Sequence, residues 1–233
     1  GRGIVATEQA VLLVQRARVL LDELRAFTHA AGFDPARWTG TLTVAANDLQ
    51  RDLLLPPLLR RLRDQAPDLV LRVIPSGAPT AALLRDPGCD LLITPRPPDA
   101  GDVLHRRLFE DRYVVFHDPA AGPPPADAAA WLAAEHVTVR YEDGRGLDID
   151  DHFARQGLHR RFVATVPGFG GVAAMLRGGP WIATLPSRVA EQALRGLAWA
   201  PLPVAAPPLP MYAAGHRRRH DDPAHRWLRG LLD

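Results

Sequence analysis

Between Thr41 and the C-terminus, short apolar runs alternate with amphipathic stretches, and few folds accommodate that order. A strand, a returning helix and a second strand beside the first make a parallel sheet with helices on its faces. The pattern predicts strands at residues 41–46, 70–75, 91–94 and 114–117, with helices at about 51–65 and 79–85. Pro56-Pro57 falls inside the first helical stretch, where the missing N–H groups suit either a helix start or a kink. After "DPAAGPPPA" at 118–126 the alternation restarts, with helices at 127–134, 149–156, 171–176 and 187–194 and strands at 136–140, 162–166 and 181–185. A second Pro-rich run, 201–210, precedes one more strand, 210–214, and a last helix, 223–232. Two such breaks around a complete α/β unit predict a middle lobe, 118–208, inserted into an outer lobe made of 40–117 and 209–233. The 233 residues suffice for two small cores. Two chain crossings between lobes make a hinge over a cleft, which is a ligand-binding architecture.

Ahead of the sheets, residues 7–30 predict a helix, with Thr7 as its cap and Gly32 and Pro35 as its end. Leu13, Ala17, Leu20, Leu24 and Phe27 recur at alternating spacings of four and three, the seam of a helix that pairs with another helix. Packing against its own lobe is the competing reading; the linker-like segment 34–40 favours a free-standing dimerisation helix.

The charge balance excludes a large electrostatic footprint. Every one of the 28 basic residues is Arg, yet the formal net charge is +2, too small for charge alone to argue nucleic-acid binding. One cysteine, Cys89, leaves no internal disulfide, no apolar run approaches the roughly 20 residues of a membrane span, and no signal peptide is visible, so a cytoplasmic protein is expected. The first residue is Gly, which suggests a trimmed front.

Enzyme chemistry finds little support. Ser76 and Ser187 are the only serines, and neither stands in a Gly-x-Ser-x-Gly elbow. Cys89 precedes an apolar strand and reads as a buried structural thiol. "DIDDHF" at 148–153 lacks the glycine and terminal glutamate of a calcium loop, and acidic residues at a helix start explain it. In "HRRRHDDPAH", His216, His220 and His225 straddle a strand end and a helix start, which favours a solvated or interface role over a metal site. Neither Gly1–Gly3 nor Gly144–Gly146 follows a strand and opens a helix as a phosphate loop must. No catalytic residue, metal or cofactor is expected.

The stretches "LTVAANDLQRDLLLPPLLRRLRDQAPDLVLRVIPSG", "CDLLITPRPPD", "RRLFEDRYVVFHDP", "VPGFGGVAAMLRGGPWIATLPSRVA", "LPMYAAGH" and "DPAHRWLRGLL" resemble, in order, the effector-binding region of LysR-type transcriptional regulators. The resemblance implies two Rossmann-like α/β lobes of the periplasmic-binding-protein type 2 kind, with a small effector between them and a linker helix in front. It implies a homodimer or homotetramer, no membrane, and DNA contact only through an N-terminal winged helix-turn-helix. Residues 1–33 would then be the end of that wing and the dimerisation helix.

The same resemblance implies the site. The turn after the first strand contributes Asn47, Asp48 and Gln50; many members carry Ser or Thr there, so the Asn-Asp pair is a departure. Asn47 or Asp48 can equally be a helix cap. Thr94 and Arg96 leave the third strand at the cleft's lip; Arg96 either pairs a ligand carboxylate or sits in solvent. From the second lobe come Tyr141, Pro167 and Phe169, the last a cover for a ring or alkyl group or a plain core aromatic. "DPAHRWLR" resembles members that sense aromatic compounds, and Arg96 with the helix start suits a small carboxylate. An exported solute-binding protein of the same fold is the alternative, disfavoured by the Leu13–Phe27 seam.

Overall fold

The computed structural model describes residues 33–232, together with Thr7, Gln9, Leu13, Arg16, Ala17 and Leu20. The outer lobe starts with β1 (Gly40–Ala45), α1 (Asp48–Gln65), β2 (Leu69–Ile74), α2 (Ala81–Arg85), β3 (Leu91–Thr94) and β4 (Val103–Asp111). The middle lobe follows with β5 (Tyr113–His117), α3 (Ala128–Ala133), β6 (Glu135–Val139), α4 (Asp148–Arg155), β7 (Arg161–Val166), α5 (Phe169–Leu176), β8 (Ile182–Pro186) and β9 (Ala198–Pro201). β10 (Leu209–His216) and α6 (Pro223–Gly230) return to the outer lobe. Each lobe is built on a five-stranded sheet, β2-β1-β3-β10-β4 and β7-β6-β8-β5-β9.

The central strands are apolar on both faces because helices cover both. β3 is buried along all of "LLIT" and β5 along all of "YVVFH". β1 pairs in parallel with β2 and β3, and β6 with β7 and β8, as the helical crossovers require. β10 runs antiparallel between β3 and β4, so the returning chain lies inside the first sheet rather than on its edge.

Three differences from the sequence reading have physical causes. β5, assigned to the outer lobe with residues 40–117, pairs with β8 and β9 in the other sheet. The first crossing is therefore Arg112, and "DPAAGPPPA" is an internal turn of the middle lobe. Asp111 fixes this short hinge: its carboxylate accepts from the backbone N–H of Arg112 at 2.7 Å and of Arg188 at 3.1 Å, and from Ser187 Oγ. β4 escapes a sequence reading because "VLHRRLFED" carries charges on the exposed face of an edge strand, a common guard against pairing with other chains. The helix expected at 187–194 is a 3-10 segment, Ser187–Glu191.

α1 starts at Asp48 and runs through Pro56-Pro57 without interruption. Arg51 N–H donates to Asn47 O at 2.8 Å, and Leu49, Leu55, Leu58 and Leu62 bury one face. That burial offsets the two backbone bonds the prolines cannot make.

Of the predicted seam, Leu24 and Phe27 lie outside the described residues. Leu13, Ala17 and Leu20 are helical and exposed, Leu13 at 74% and Leu20 at 59%. Segment 34–40 is short but anchored. Asp34 caps a 3-10 turn, Pro35–Arg37, and Phe33, Trp38 and Trp227 form a triad with ring centroids 5.7–5.8 Å apart. Since Trp227 belongs to α6, the triad ties this segment to the outer lobe.

Candidate functional site

The strand ends of both sheets face one another, and the gap holds a cavity of about 380 Å³. Asn47, Gln50, Thr94 and Arg96 line it from the outer lobe, Tyr141 and Phe169 from the middle lobe. Asp48 and Pro167 instead line an adjoining space of about 760 Å³, which shares Asn47, Gly77, Tyr141 and Arg145 with the first. Of the eight residues named from sequence, six thus meet in one cavity and two lie behind it.

Neither Asn47 nor Asp48 caps α1. Asn47 occupies the cap position without a side-chain cap bond, and its Oδ1 accepts from Ser76 Oγ at 2.8 Å. Asp48 reaches across the cleft, where Oδ2 accepts the Phe169 backbone N–H at 2.6 Å and Oδ1 lies 3.4 Å from the Tyr141 hydroxyl, which donates. Phe169 opens α5, whose cap position is Gly168 and offers no side chain. A carboxylate from one lobe therefore caps a helix of the other. Gly168 makes room for it: a Cβ there would stand 2.8 Å from Asp48 Oδ2. Burial raises the Asp48 pKa above the usual carboxylate value, against the lowering pull of the Phe169 N–H and Arg51.

Arg96 lines the cavity and pairs across its mouth. Its Nε meets Asp148 Oδ2 at 2.7 Å across the mouth of the cleft. Thr94 Oγ1 accepts the Arg96 N–H at 3.1 Å and holds the turn that aims Arg96. Phe169, 3% exposed, is part of the core as well as of the wall.

Ser76, Tyr113, Arg145, Asp148, Leu209 and Met211, which sequence reading misses, also line the cavity. Arg145 sits in "YEDGRG", which reads as an exposed turn; the fold swings it inward, its guanidinium over the Tyr141 ring at 5.4 Å and Nη2 donating to Gly77 O at 2.5 Å. The acids of "DIDDHF" point to different partners. Asp148 pairs with Arg96, while Asp150 pairs with buried Arg160 and accepts from Thr138 Oγ1 at 2.8 Å.

Two buried polar atoms of cavity-lining residues make no hydrogen bond, Gln50 Oε1 and Arg145 Nε, and neither is open to the cavity itself. Arg145 Nε instead ion-pairs with Asp143 at 3.6 Å. Apolar side chains make much of the wall, among them Leu49, Pro95, Leu147, Leu209 and Met211, with Asn47, Ser76, Thr94, Arg96 and Asp148 between them. An apolar pocket with a few convergent polar groups suits reversible capture of a small molecule. No cluster among the described residues could hold a metal ion. His216, His220 and His225 line a separate cavity of about 150 Å³ at the far end of β10.

Comparison with known proteins agrees with this geometry. A family model described as the LysR substrate binding domain matches residues 35–233. SyrM of Rhizobium meliloti, an HTH-type transcriptional regulator, is 32% identical over 236 residues, covering 99% of this chain and 72% of its own. Among solved structures, a probable transcriptional regulator from Pseudomonas aeruginosa has a TM-score of 0.74 at 26% identity, covering 100% of this chain and 79% of that one. The regulatory domain of MexT, a transcriptional activator of the same organism, has a TM-score of 0.69 at 27% identity, covering 83% and 98%.

Proposed function

The chain belongs to the LysR substrate-binding domain family, the ligand-sensing regulatory domain of LysR-type transcriptional regulators, and we propose that its effector occupies the interlobe cavity. The observation that carries this reading is a cavity between the two lobes, lined from both, whose largely apolar wall carries a few polar groups, among them Asn47, Thr94 and Arg145. The effector is a small carboxylate with an apolar body, aromatic rings included. Its acid group pairs with Arg145, and its body lies among Phe169, Tyr113 and Met211.

Binding acts by population shift. Lobe orientations differ in how well they surround the effector, and only that difference in affinity moves the balance. The exposed Leu13, Ala17 and Leu20 stripe pairs with a second copy of the chain, and the Phe33–Trp38–Trp227 triad carries lobe motion to it. DNA contact lies with a winged helix-turn-helix on the N-terminal side of that helix. Relatives matching nearly the whole chain are transcriptional regulators, which disfavours an exported solute receptor.

A thermal-shift screen of aromatic and aliphatic carboxylates tests the site. At about a hundredfold over the dissociation constant a true effector stabilises by about 2.7 kcal/mol. Arg145→Gln should remove that shift, measured against the variant's own unliganded melting curve, which the lost Gly77 contact lowers. A hit equally strong in Arg145→Gln places the effector elsewhere.

A further inference from the structure

The two chain crossings between the lobes, Arg112 and residues 202–208, border a groove of about 500 Å³ on the hinge. Its lining comes only from segments 110–114 and 199–208, the crossings and the strand ends that feed them. The apolar side is Trp199 of β9, 44% exposed, with Leu202, Val204, Pro207 and Pro208. Contiguous exposed apolar surface rimmed by charge is where ligands dock, and the volume lies within the small-molecule range of about 300–1,000 Å³. Of the charged residues in the lining, the two acids are already engaged. Asp111 accepts from Ser187 Oγ and from the backbone N–H groups of Arg112 and Arg188, and Glu110 pairs with Arg107. The cation is left over. Arg112 is exposed, its guanidinium lies 5.7 Å from the Trp199 ring centre, and among the described residues it has no ion-pair partner.

From this unpaired cation beside an exposed indole we propose a second ligand site, on the hinge and apart from the interlobe cavity, that takes an aromatic anion. The acid group meets the Arg112 guanidinium, whose fork of donors matches a carboxylate. The ring lies against Trp199 and the prolines, where aromatic surface and the neighbouring cation both favour it. Because both walls are crossings, any rotation of one lobe on the other reshapes the groove. Affinity here therefore depends on lobe orientation, and an occupant biases that orientation in return. Tyr113 lines the groove and the interlobe cavity alike, so the two sites share a wall. The proposal stands apart from the question of what fills the interlobe cavity.

Calorimetric titration of the full chain with 2-naphthoate is the test. The expected result is a binding event that Arg112→Gln and Trp199→Ala each weaken about tenfold or more, and that Arg145→Gln leaves within about threefold. The alcohol 2-naphthalenemethanol keeps the rings without the charge and should bind there about tenfold more weakly. Adding Asp48→Ala to Arg145→Gln removes the bond from Asp48 to the Phe169 N–H and should weaken the hinge event about fivefold or more. No binding of naphthoate, loss of all binding in Arg145→Gln, or events untouched by both hinge substitutions overturns the proposal. Equal binding of the alcohol overturns the choice of an anion, and equal affinity with Asp48→Ala overturns the link to lobe orientation. Should either hinge variant fail to fold, the Trp199 indole N–H resonance of the otherwise unaltered chain decides. It must shift with naphthoate, and shift again in Arg145→Gln.

Discussion

The Asp48 carboxylate and the Phe169 amide belong to different lobes and are 121 residues apart in sequence, yet they lie 2.6 Å from one another. A hydrogen bond to a charged acceptor contributes about 1.5–3 kcal/mol. Here it stabilises one particular arrangement of the lobes. Asp48→Ala is expected to shift the balance toward open forms by about tenfold or more, read as a larger radius of gyration in X-ray scattering. Gly168→Ala should act alike, because its Cβ would displace the carboxylate from 2.8 Å. Wild-type scattering from both variants would show that this bond does not set lobe orientation.

The Arg96–Asp148 pair guards the mouth and does little for stability. The Arg96 side chain is 61% exposed, and exposed pairs contribute about 0–1 kcal/mol. Arg96→Ala should leave the melting temperature almost unchanged and keep effector affinity within about fivefold. Association and release should both quicken in stopped-flow measurements. Slower exchange would mean the pair steers the effector in rather than obstructing it.

Arg160 is the opposite case. Its side chain is 2% exposed, paired with Asp150, with its guanidinium 5.5 Å from the Trp131 ring centre and 4.9 Å from those of Phe153 and Phe162. Burial depresses its pKa, and Asp150 counteracts that. Arg160→Ala strands the Asp150 carboxylate and should cost about 3–5 kcal/mol in urea unfolding. The double variant Arg160→Met, Asp150→Leu removes both charges and should recover most of the loss.

Stability should fall on mild acidification. His136 is fully buried and donates from Nε2 to Trp131 O at 2.8 Å. Burial, mainly, pulls its pKa from 6.5 down to about 4, and the same cause pulls His225 to about 4. Unfolded histidine binds a proton near pH 6.5 and the folded form near 4, so the unfolded state binds more protons between those values. The stabilisation is complete above pH 6.5 and is lost as the pH drops through that window, by about 2 kcal/mol per histidine at pH 5. Urea titrations at pH 7 and pH 5 measure it, and His136→Gln should remove about half of the drop. An equal drop in that variant would assign it to other groups.

Much of the fold is legible because strand and helix periodicity is written in neighbouring residues. "LLIT" and "YVVFH" read as buried strands before any partner is known, and the helix around Leu55, Leu58 and Leu62 follows from its spacing. The helix boundary at Asp48 is less legible, since Pro56-Pro57 argues locally for a later start and only packing overrules it. Within the site, residues following strands can be found, because ligand-facing ends of an α/β sheet are its strand termini. Arg145, Tyr113 and Met211 escape, as nothing in their local patterns distinguishes a cavity wall from a turn or a core strand.

Local pattern is enough to dictate α/β layers and polar residues after the first strand. Contact between distant segments was needed to put β5 in the second sheet, to make Arg112 the first crossing, and to have Asp48 cap a helix it is not part of. The reason is the range of the interactions. Propensity and periodicity act over a few residues, whereas sheet membership, cleft pairing and the isolation of Gln50 Oε1 exist only once remote parts of the chain have met.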